Sequence, residues 1–236
     1  MKRRSLPARL ARWVTTAVLA AAVSSILVVA AFRWLPVPTT AFMIQERLAA
    51  REAGLPLRQQ HDWVPWTRIS RHAAVAAIAA EDQKFLAHGG FDFESIEKAV
   101  TDAQGGRRLR GASTISQQAA KNLFLWSGQS WLRKGLEAWF TAWIEFLWPK
   151  ERILEVYLNS AQFGRGVWGV QAASRLYFGK DAARLTPEEA ALLAAVLPSP
   201  TRFRVVNATP YIRGRQAWIL GQMQRMTRAG LLNELK

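Results

Sequence analysis

The sequence contains no cysteine and only three histidines. Disulfide bonds and metal sites built from thiolates are therefore excluded. His61, His72 and His88 lack the HExxH spacing of a helical zinc site, so a zinc enzyme is not expected. Internal repeats, low-complexity tracts and runs of alternating apolar and polar residues are also missing. The pattern indicates one sizeable, nearly all-helical domain in a chain of 236 residues, half of them hydrophobic.

Acidic residues are few as well. The sequence has 17 Asp and Glu against 32 Lys and Arg, which gives a net charge of +15. Nucleic acid, anionic lipid or a phosphate-bearing substrate would each account for this excess. Tryptophan is abundant, with 11 residues. It favours places where one end of the ring is apolar and the other is wet, including membrane interfaces. Composition alone leaves these partner classes open.

The N-terminal 35 residues are predicted to anchor the chain in a membrane. Residues 1–12 form a basic tail and residues 13–35 a transmembrane helix, whose apolar run from Trp13 to Phe32 carries no charge. About 20 apolar residues suffice to cross ~30 Å of hydrocarbon. More basic residues precede this run than directly follow it, which places the N-terminus in the cytoplasm and the rest of the chain outside. A cleaved signal peptide is the alternative, but the run is long for one and no A-x-A site follows, which favours an uncleaved anchor.

The rest of the chain divides into a linker with its membrane-proximal segment, residues 36–69, and a globular domain, residues 70–236. The linker is interrupted by prolines and holds one predicted helix, Ala41–Glu52. At the start of the domain, Ser70 is a suitable N-cap for a helix over Arg71–Phe85.

Capping residues predict most of the later helix starts. Asp92 precedes a helix over Phe93–Ala103, and Thr114 with Gln117 fits a capping box. A second capping box begins at Thr186, with proline at the first helical position. The last predicted helix is basic, spans Tyr211–Ala229, and is interpreted as a surface or membrane-facing element.

A helix over Ser130–Trp148 is predicted from its period. Its apolar side is expected to consist of Leu136, Phe140, Trp143, Ile144 and Leu147. A second apolar row runs from Glu137 through Thr141 and Ile144 to Trp148. Because five tryptophans fall between Trp126 and Trp148, we expect the domain to sit on the bilayer. Ordinary core packing would account for some of them.

The stretch EDQKFLAHGGFD, Glu81 to Asp92, follows a run of small apolar residues. On a helix, Glu81 would share a face with Ala74, Ile78 and Phe85, and so lie in a stripe that is buried. Burial raises the pKa of a carboxyl group, which is the usual setting of a general acid or base. A salt-bridged carboxylate at a helix end explains the position equally well.

A second polar group lies in the predicted helix that Thr114 caps. Gln117 and Lys121 share one of its faces, and Gln118 and Asn122 share a neighbouring one. These amides with an ammonium suit a phosphate or sugar ligand, although a plain amphipathic surface helix would look similar. The preceding Gly105–Gly111 is predicted to be a mobile basic loop or a solvated turn.

Six spaced motifs together resemble the peptidoglycan glycosyltransferase family, the glycosyltransferase domain of class A penicillin-binding proteins, from about Ser70 to Leu197. They are EDxxFxxHxGxD at Glu81–Asp92, GxSTIxQQxxKNLF at Gly111–Phe124, RKxxE at Arg133–Glu137, KxxILExYLN at Lys150–Asn159, GVxxAAxxYFG at Gly169–Gly179 and EAALLAxxLPxP at Glu189–Pro200. No transpeptidase domain is seen after them, so the chain resembles the monofunctional, membrane-anchored form.

The resemblance implies an all-α, lysozyme-like fold with one N-terminal transmembrane helix, in the bacterial inner membrane with the catalytic domain in the periplasm. It implies an enzyme that polymerises lipid II into β-1,4-linked glycan with inversion, releasing undecaprenyl pyrophosphate. Lipid II, the growing strand and the bilayer are the expected partners. Cell-division or elongation proteins are candidates, and nucleic acid is not expected.

Site roles also follow from the resemblance. It implies that Glu81 acts as the base and that Glu137 assists the leaving group, either as an acid or as a ligand of Mg²⁺ or Mn²⁺. A divalent cation is expected, and no organic cofactor. Asp82 is expected to orient the site. The residues expected to bind the pyrophosphate or position donor oxygens are Lys121, Arg133, Lys134, Ser113, Gln117, Gln118 and Asn122.

Two rival functions are considered beside this one. A lysozyme-like hydrolase would share the fold and Glu81, but its reaction would not require a cationic cluster around Glu137 or a tryptophan-rich membrane-binding surface. A non-enzymatic basic anchor protein that binds anionic lipid or nucleic acid would lose nothing measurable when Glu81 is replaced by glutamine.

Overall fold

The computed structural model describes residues 6–104 and 113–230. Ten helices occur in these residues. They are α1 (Leu6–Ala31), α2 (Ala41–Glu52), α3 (Arg71–Glu81), α4 (Phe93–Gln104), α5 (Ile115–Phe124), α6 (Trp131–Leu147), α7 (Lys150–Ser160), α8 (Val170–Phe178), α9 (Pro187–Val196) and α10 (Pro210–Arg228). Short 3₁₀ turns cover Trp66–Arg68 and Ala182–Arg184. The predicted all-α class is confirmed.

One small sheet was not predicted. It consists of β1 (Gln60–His61), β2 (Gln162–Gly164) and β3 (Val167–Trp168), in the order β1-β3-β2. Strands of two or three residues are too short to show an alternating pattern in sequence. The Glu46 carboxylate of α2 supports the sheet by accepting hydrogen bonds from the Gly166 amide at 2.9 Å and from Trp168 Nε1 at 2.6 Å. The predicted linker is therefore packed onto the domain through α2.

The predicted caps are present. The Thr114 hydroxyl accepts from the Gln117 amide while the Gln117 side chain accepts from the Thr114 amide, and Thr186 and Glu189 are paired in the same way. Ser70 caps α3 and Asp92 accepts from the Ser95 amide at the start of α4.

The predicted end of α3 is wrong. The helix stops at Glu81, four residues before Phe85, because Asp82 turns out of it with φ −160° and ψ 78°. The Asp82 side chain accepts hydrogen bonds from the Ile115 amide and from His88, and these contacts draw the chain away from the helix axis. Glu81 is consequently the last residue of the helix, and its side chain lies at the edge of the core.

The core is built around α3 and α9. Every residue of α9 from Ala190 to Val196 is buried, which is typical of a helix surrounded by others. It packs on α3, whose residues Ala73 to Ala79 are likewise buried, and on α10. Small side chains on both helices allow the close approach. A second group of helices, α5, α6 and α7, packs beside this pair.

The N-terminal helix is long and apolar enough to span a membrane over Arg9–Ala31, and only 6% of the residues in its most apolar stretch are buried. It ends at Ala31, earlier than the predicted residue 35. Its last turns pack on α6: Trp139 Nε1 donates to Ser25 Oγ at 3.1 Å, and Trp148 Nε1 donates to the Val29 carbonyl at 2.8 Å.

The predicted apolar side of α6 packs on the core, but it is not the most buried side of the helix. Of its five residues, Ile144 is buried, and Phe140, Trp143 and Leu147 are partly buried against the core. The most buried row is the second candidate, formed by Glu137, Thr141 and Ile144 and continued by Trp148 at the C-cap. A helix buries the stripe that its neighbours cover, and α5 covers the side that carries Glu137.

Candidate functional site

Glu81 closes α3 at the edge of the core. Its side chain is 13% exposed. Oε2 accepts a hydrogen bond from Gln118 Nε2 at 2.9 Å, and Oε1 lies 3.6 Å from Arg215 Nη2. Burial raises the pKa of Glu81, against the opposing effects of Gln118, Arg215 and Lys121. A carboxylate whose pKa is raised toward the working pH can accept a proton from a substrate hydroxyl.

Asp82 lies beside Glu81 but faces inward. It is 7% exposed, and both of its oxygens lie within 3.0 Å of His88 Nε2. Oδ2 also accepts from the Ile115 amide, the first residue of α5, at 3.0 Å. Burial raises the pKa of Asp82, and the hydrogen bonds from His88 and Ile115 oppose this effect. These contacts tie the end of α3 to the start of α5 and hold Glu81 and Gln118 together.

Two cavities open on Glu81. One of about 450 Å³ is lined by Asp82, Lys84 and Ser113 among others. The other, of about 890 Å³, lies toward α10. Its walls carry Ala80, Glu81, Ser113, Gln118, Pro198, Pro210, Tyr211, Gly214, Arg215 and Trp218. Ser113, one of the predicted site residues, lines both cavities together with Glu81.

A cationic cluster surrounds Glu137, which is 3% exposed. Arg133 Nη1 lies 2.7 Å from its Oε2, and Lys134 Nζ lies 2.5 Å from its Oε1. Burial lowers the pKa of Lys121, the Glu137 carboxylate raises it, and Arg133 and Lys134 lower it further. The Glu81 carboxylate also raises the pKa of Lys121, and Lys121 lowers the pKa of Glu81. The Lys121 ammonium therefore interacts electrostatically with both the predicted base and the cationic cluster.

The remaining predicted residues all lie on α5. Gln118 contacts Glu81 directly. Asn122 is half-buried. Gln117 is 4% exposed and its amide oxygen is occupied in the capping box, which leaves little of it for a substrate. The predicted basic loop, Gly105–Gly111, lies outside the described residues.

The donor set near Glu137 does not by itself form a metal site. Both oxygens of Glu137 are in contact with cations. Among residues 6–104 and 113–230, no group of three or more histidine, aspartate or glutamate side chains is placed to hold a metal ion. A divalent cation normally requires several such oxygen ligands from protein, substrate or water.

Three residues of α10 at this site are not predicted from sequence: Tyr211, Arg215 and Trp218. Sequence analysis predicts a surface or membrane-facing helix there. It instead packs on α9 and α3 through Ile212 and Ile219, which brings Arg215 to Glu81. Its charge pattern resembles a solvated face, so no local signal distinguishes Arg215 from its basic neighbours.

The chain is similar to known proteins over most of its length. The transglycosylase family model matches residues 48–224. The biosynthetic peptidoglycan transglycosylase of Pseudomonas putida (strain GB-1) is 52% identical over 226 residues, or 96% of each chain. That of Pseudomonas aeruginosa is 52% identical over 203 residues, 86% of this chain and 88% of the relative. That of Ectopseudomonas mendocina is 49% identical over 233 residues, 99% of this chain and 95% of the relative.

Proposed function

Since the chain belongs to the transglycosylase family and is a peptidoglycan glycosyltransferase of lysozyme-like fold, we propose that it polymerises lipid II into β-1,4-linked glycan strands. Undecaprenyl pyrophosphate leaves, and the anomeric carbon is inverted. One observation carries the proposal: the buried carboxylate of Glu81 borders a cavity of about 890 Å³, and Lys121 interacts electrostatically both with this carboxylate and with the charged cluster around Glu137.

Glu81 serves as the general base. Its carboxylate takes the proton of the 4-hydroxyl of the attacking sugar, and the oxygen forms a bond to the anomeric carbon of the growing chain. The bond from that carbon to the lipid pyrophosphate breaks on the opposite side. Gln118 fixes Oε2 at 2.9 Å, and this contact supports a carboxylate held in one orientation. Asp82 positions the end of α3 through Ile115 and His88.

The departing pyrophosphate is received by Lys121, Arg133 and Lys134. Preorganised cations stabilise charge that develops on a leaving group. Arg133 Nε is buried and has no hydrogen-bond partner among the described residues, so it retains a donor for a phosphate oxygen. Glu137 contacts Arg133 and Lys134 through separate oxygens, and it therefore orients both cations toward one place. Ser113, Gln118 and Asn122 position donor oxygens.

The resemblance predicts a requirement for Mg²⁺ or Mn²⁺, whereas the contacts of Glu137 favour a reaction that proceeds without a metal. The cations already in contact with Glu137 supply the charge that a metal would supply. We expect a chelator to leave most of the polymerisation rate of purified enzyme. A loss of more than about tenfold, restored by adding either metal, would show that a metal bound with the substrate is needed.

Among residues 6–104 and 113–230, α1 is the one helix long and apolar enough to span a membrane, which suggests a single-pass anchor, and we place it in the bacterial inner membrane with the domain in the periplasm. The bilayer is also a partner of α6. Trp131 is 93% exposed and Phe146 is 78% exposed, and Leu132 and Trp139 are exposed on the same helix. A helix with several exposed aromatic and apolar side chains is suited to the membrane interface. Cell-division or elongation proteins remain predicted partners.

Contact of α6 with lipid can be measured because the chain has no cysteine of its own. A Trp131→Cys variant carrying an environment-sensitive dye, reconstituted in vesicles, is expected to be quenched by lipids with a nitroxide in the upper acyl chain. The matched control is Glu188→Cys, exposed on α9. Equal quenching at the two positions would contradict the membrane contact of α6.

Incubation of the enzyme with purified lipid II tests the proposed function. Polymer with released undecaprenyl pyrophosphate is expected. Shortening of finished cell wall without polymer formation would instead identify a lytic enzyme.

A further inference from the structure

Arg215 of α10 lies close to the end of α3, where Glu81 is the last helical residue. Its Nη2 lies 3.6 Å from Glu81 Oε1 and 3.5 Å from the Ala80 carbonyl oxygen. The first distance is that of an ion pair, beyond a normal hydrogen bond, and the second is at the limit. Arg215 Nε is buried and has no hydrogen-bond partner among the described residues. The guanidinium therefore lies near the Glu81 carboxylate and still has a hydrogen-bond donor without a partner.

The surroundings of Glu81 single out this arginine. Lys121 approaches from α5, Arg215 from α10 and the Tyr157 hydroxyl from α7, while Asp82 is next in the chain. Burial and the Asp82 charge raise the pKa of Glu81, and Lys121 and Arg215 lower it. Lys121 is shared with the Glu137 cluster, whereas the only ion pair described for Arg215 is with Glu81.

Arg215 also borders the larger cavity beside Glu81. The side chains of Tyr211 and Trp218, on the same helix, line this cavity of about 890 Å³. Aromatic faces with a few polar groups are the usual lining of a small-molecule site. A saccharide that enters this cavity meets the arginine and the carboxylate together.

We propose that Arg215 is a positioning residue for polymerisation, which holds Glu81 Oε1 by charge while Gln118 holds Oε2. This inference rests on the proposed role of Glu81 as the base. Arg215 keeps the buried carboxylate ionised and turned toward the cavity, and it acts on the reaction through Glu81.

The test compares Arg215→Ala, Arg215→Lys and, as a matched loss of charge on the same helix, Arg213→Ala. Arg213 is exposed and its side chain contacts Gln216. The rate of lipid II polymerisation is measured from about pH 5 to pH 9. In Arg215→Ala the acid limb is expected to move to higher pH, because a cation that lowers the pKa of Glu81 is gone. The ratio of the rate at pH 8 to that at pH 6 should rise about three- to tenfold.

Arg215→Lys is expected to restore most of the wild-type profile, and Arg213→Ala to leave it unchanged. A rate loss in Arg215→Ala with an unmoved acid limb would overturn the inference, since a structural role lowers the rate at every pH alike. Arg215→Gln serves the same comparison if the alanine variant melts early. If the Glu81→Gln enzyme stays active, the role of Glu81 as the base is refuted. If Glu81→Gln is inactive but the acid limb of the Arg215→Ala pH profile is unchanged, only the positioning role of Arg215 is refuted.

Discussion

Replacement of Glu81 by glutamine is expected to abolish polymerisation while the fold stays intact. The amide has the size of the carboxyl group and can keep one hydrogen bond to Gln118, but it cannot accept the proton of the attacking hydroxyl. General bases contribute about 10²- to 10⁴-fold to enzymatic rates, so a loss of at least about a hundredfold is expected. The measurement is the rate of polymer formation from lipid II, with circular dichroism as the check on folding.

The matched control is Glu188→Gln, the same exchange at an exposed position on α9. It is expected to retain the full rate. A Glu81→Gln enzyme within a few-fold of wild type would refute the base assignment and would favour the reading of Glu81 as a helix-end carboxylate in an ion pair.

The sign of the pH dependence follows from the raised pKa of Glu81. The base works when ionised, so the rate falls as pH drops through this raised value and reaches a plateau above it. The contribution of Glu81 to folding stability changes with pH in the opposite direction and decreases as the carboxyl group ionises. An acid whose pKa is higher in the folded state binds more protons there, so its ionisation at neutral pH destabilises the fold. The Glu81→Gln variant should therefore melt at the same or a higher temperature at neutral pH.

Removal of the Lys121 charge is expected to have the second largest effect. In Lys121→Met the stem is kept and the ammonium is lost, so the developing pyrophosphate charge loses a preorganised partner. Loss of one such donor costs about 10²- to 10³-fold in rate in well-studied enzymes. Steady-state kinetics with a lipid-linked glycan donor should show both weaker donor binding and a lower maximal rate.

Lys98→Met, at an exposed position on α4, is the control for loss of a positive charge in a strongly basic protein. It should change the kinetics little. Unchanged donor affinity in Lys121→Met would exclude a pyrophosphate contact at this residue, and the ammonium would then act only on the charge of Glu81.

Helix starts were predictable because capping is local. Ser70, Thr114 and Thr186 bond to amides two or three residues away, and the sequence contains everything those contacts need. The end of α3 was not predictable in this way. It depends on Asp82 accepting from Ile115, 33 residues later in the chain.

The site divides in the same manner. Motif spacing places Glu81 and Gln118 on helices whose faces can be predicted from sequence. The approach of Arg215 depends on how α10 packs on α9 and α3, and its sequence distance of 134 residues from Glu81 leaves no local trace. Which side of α6 is most buried could not be predicted for a related reason. Both apolar rows of this helix have helical spacing, and only the position of α5 decides between them.

The contacts between α1 and α6 limit how the enzyme can move. Trp139 and Trp148 bond to the last turns of the anchor, and Arg152 donates to the Phe32 carbonyl just beyond it. These contacts predict that the catalytic domain moves together with its anchor. With α1 in a membrane, Glu81 would then keep a nearly constant height above the lipid, and a lipid-linked substrate in the same leaflet would reach it by diffusion in two dimensions.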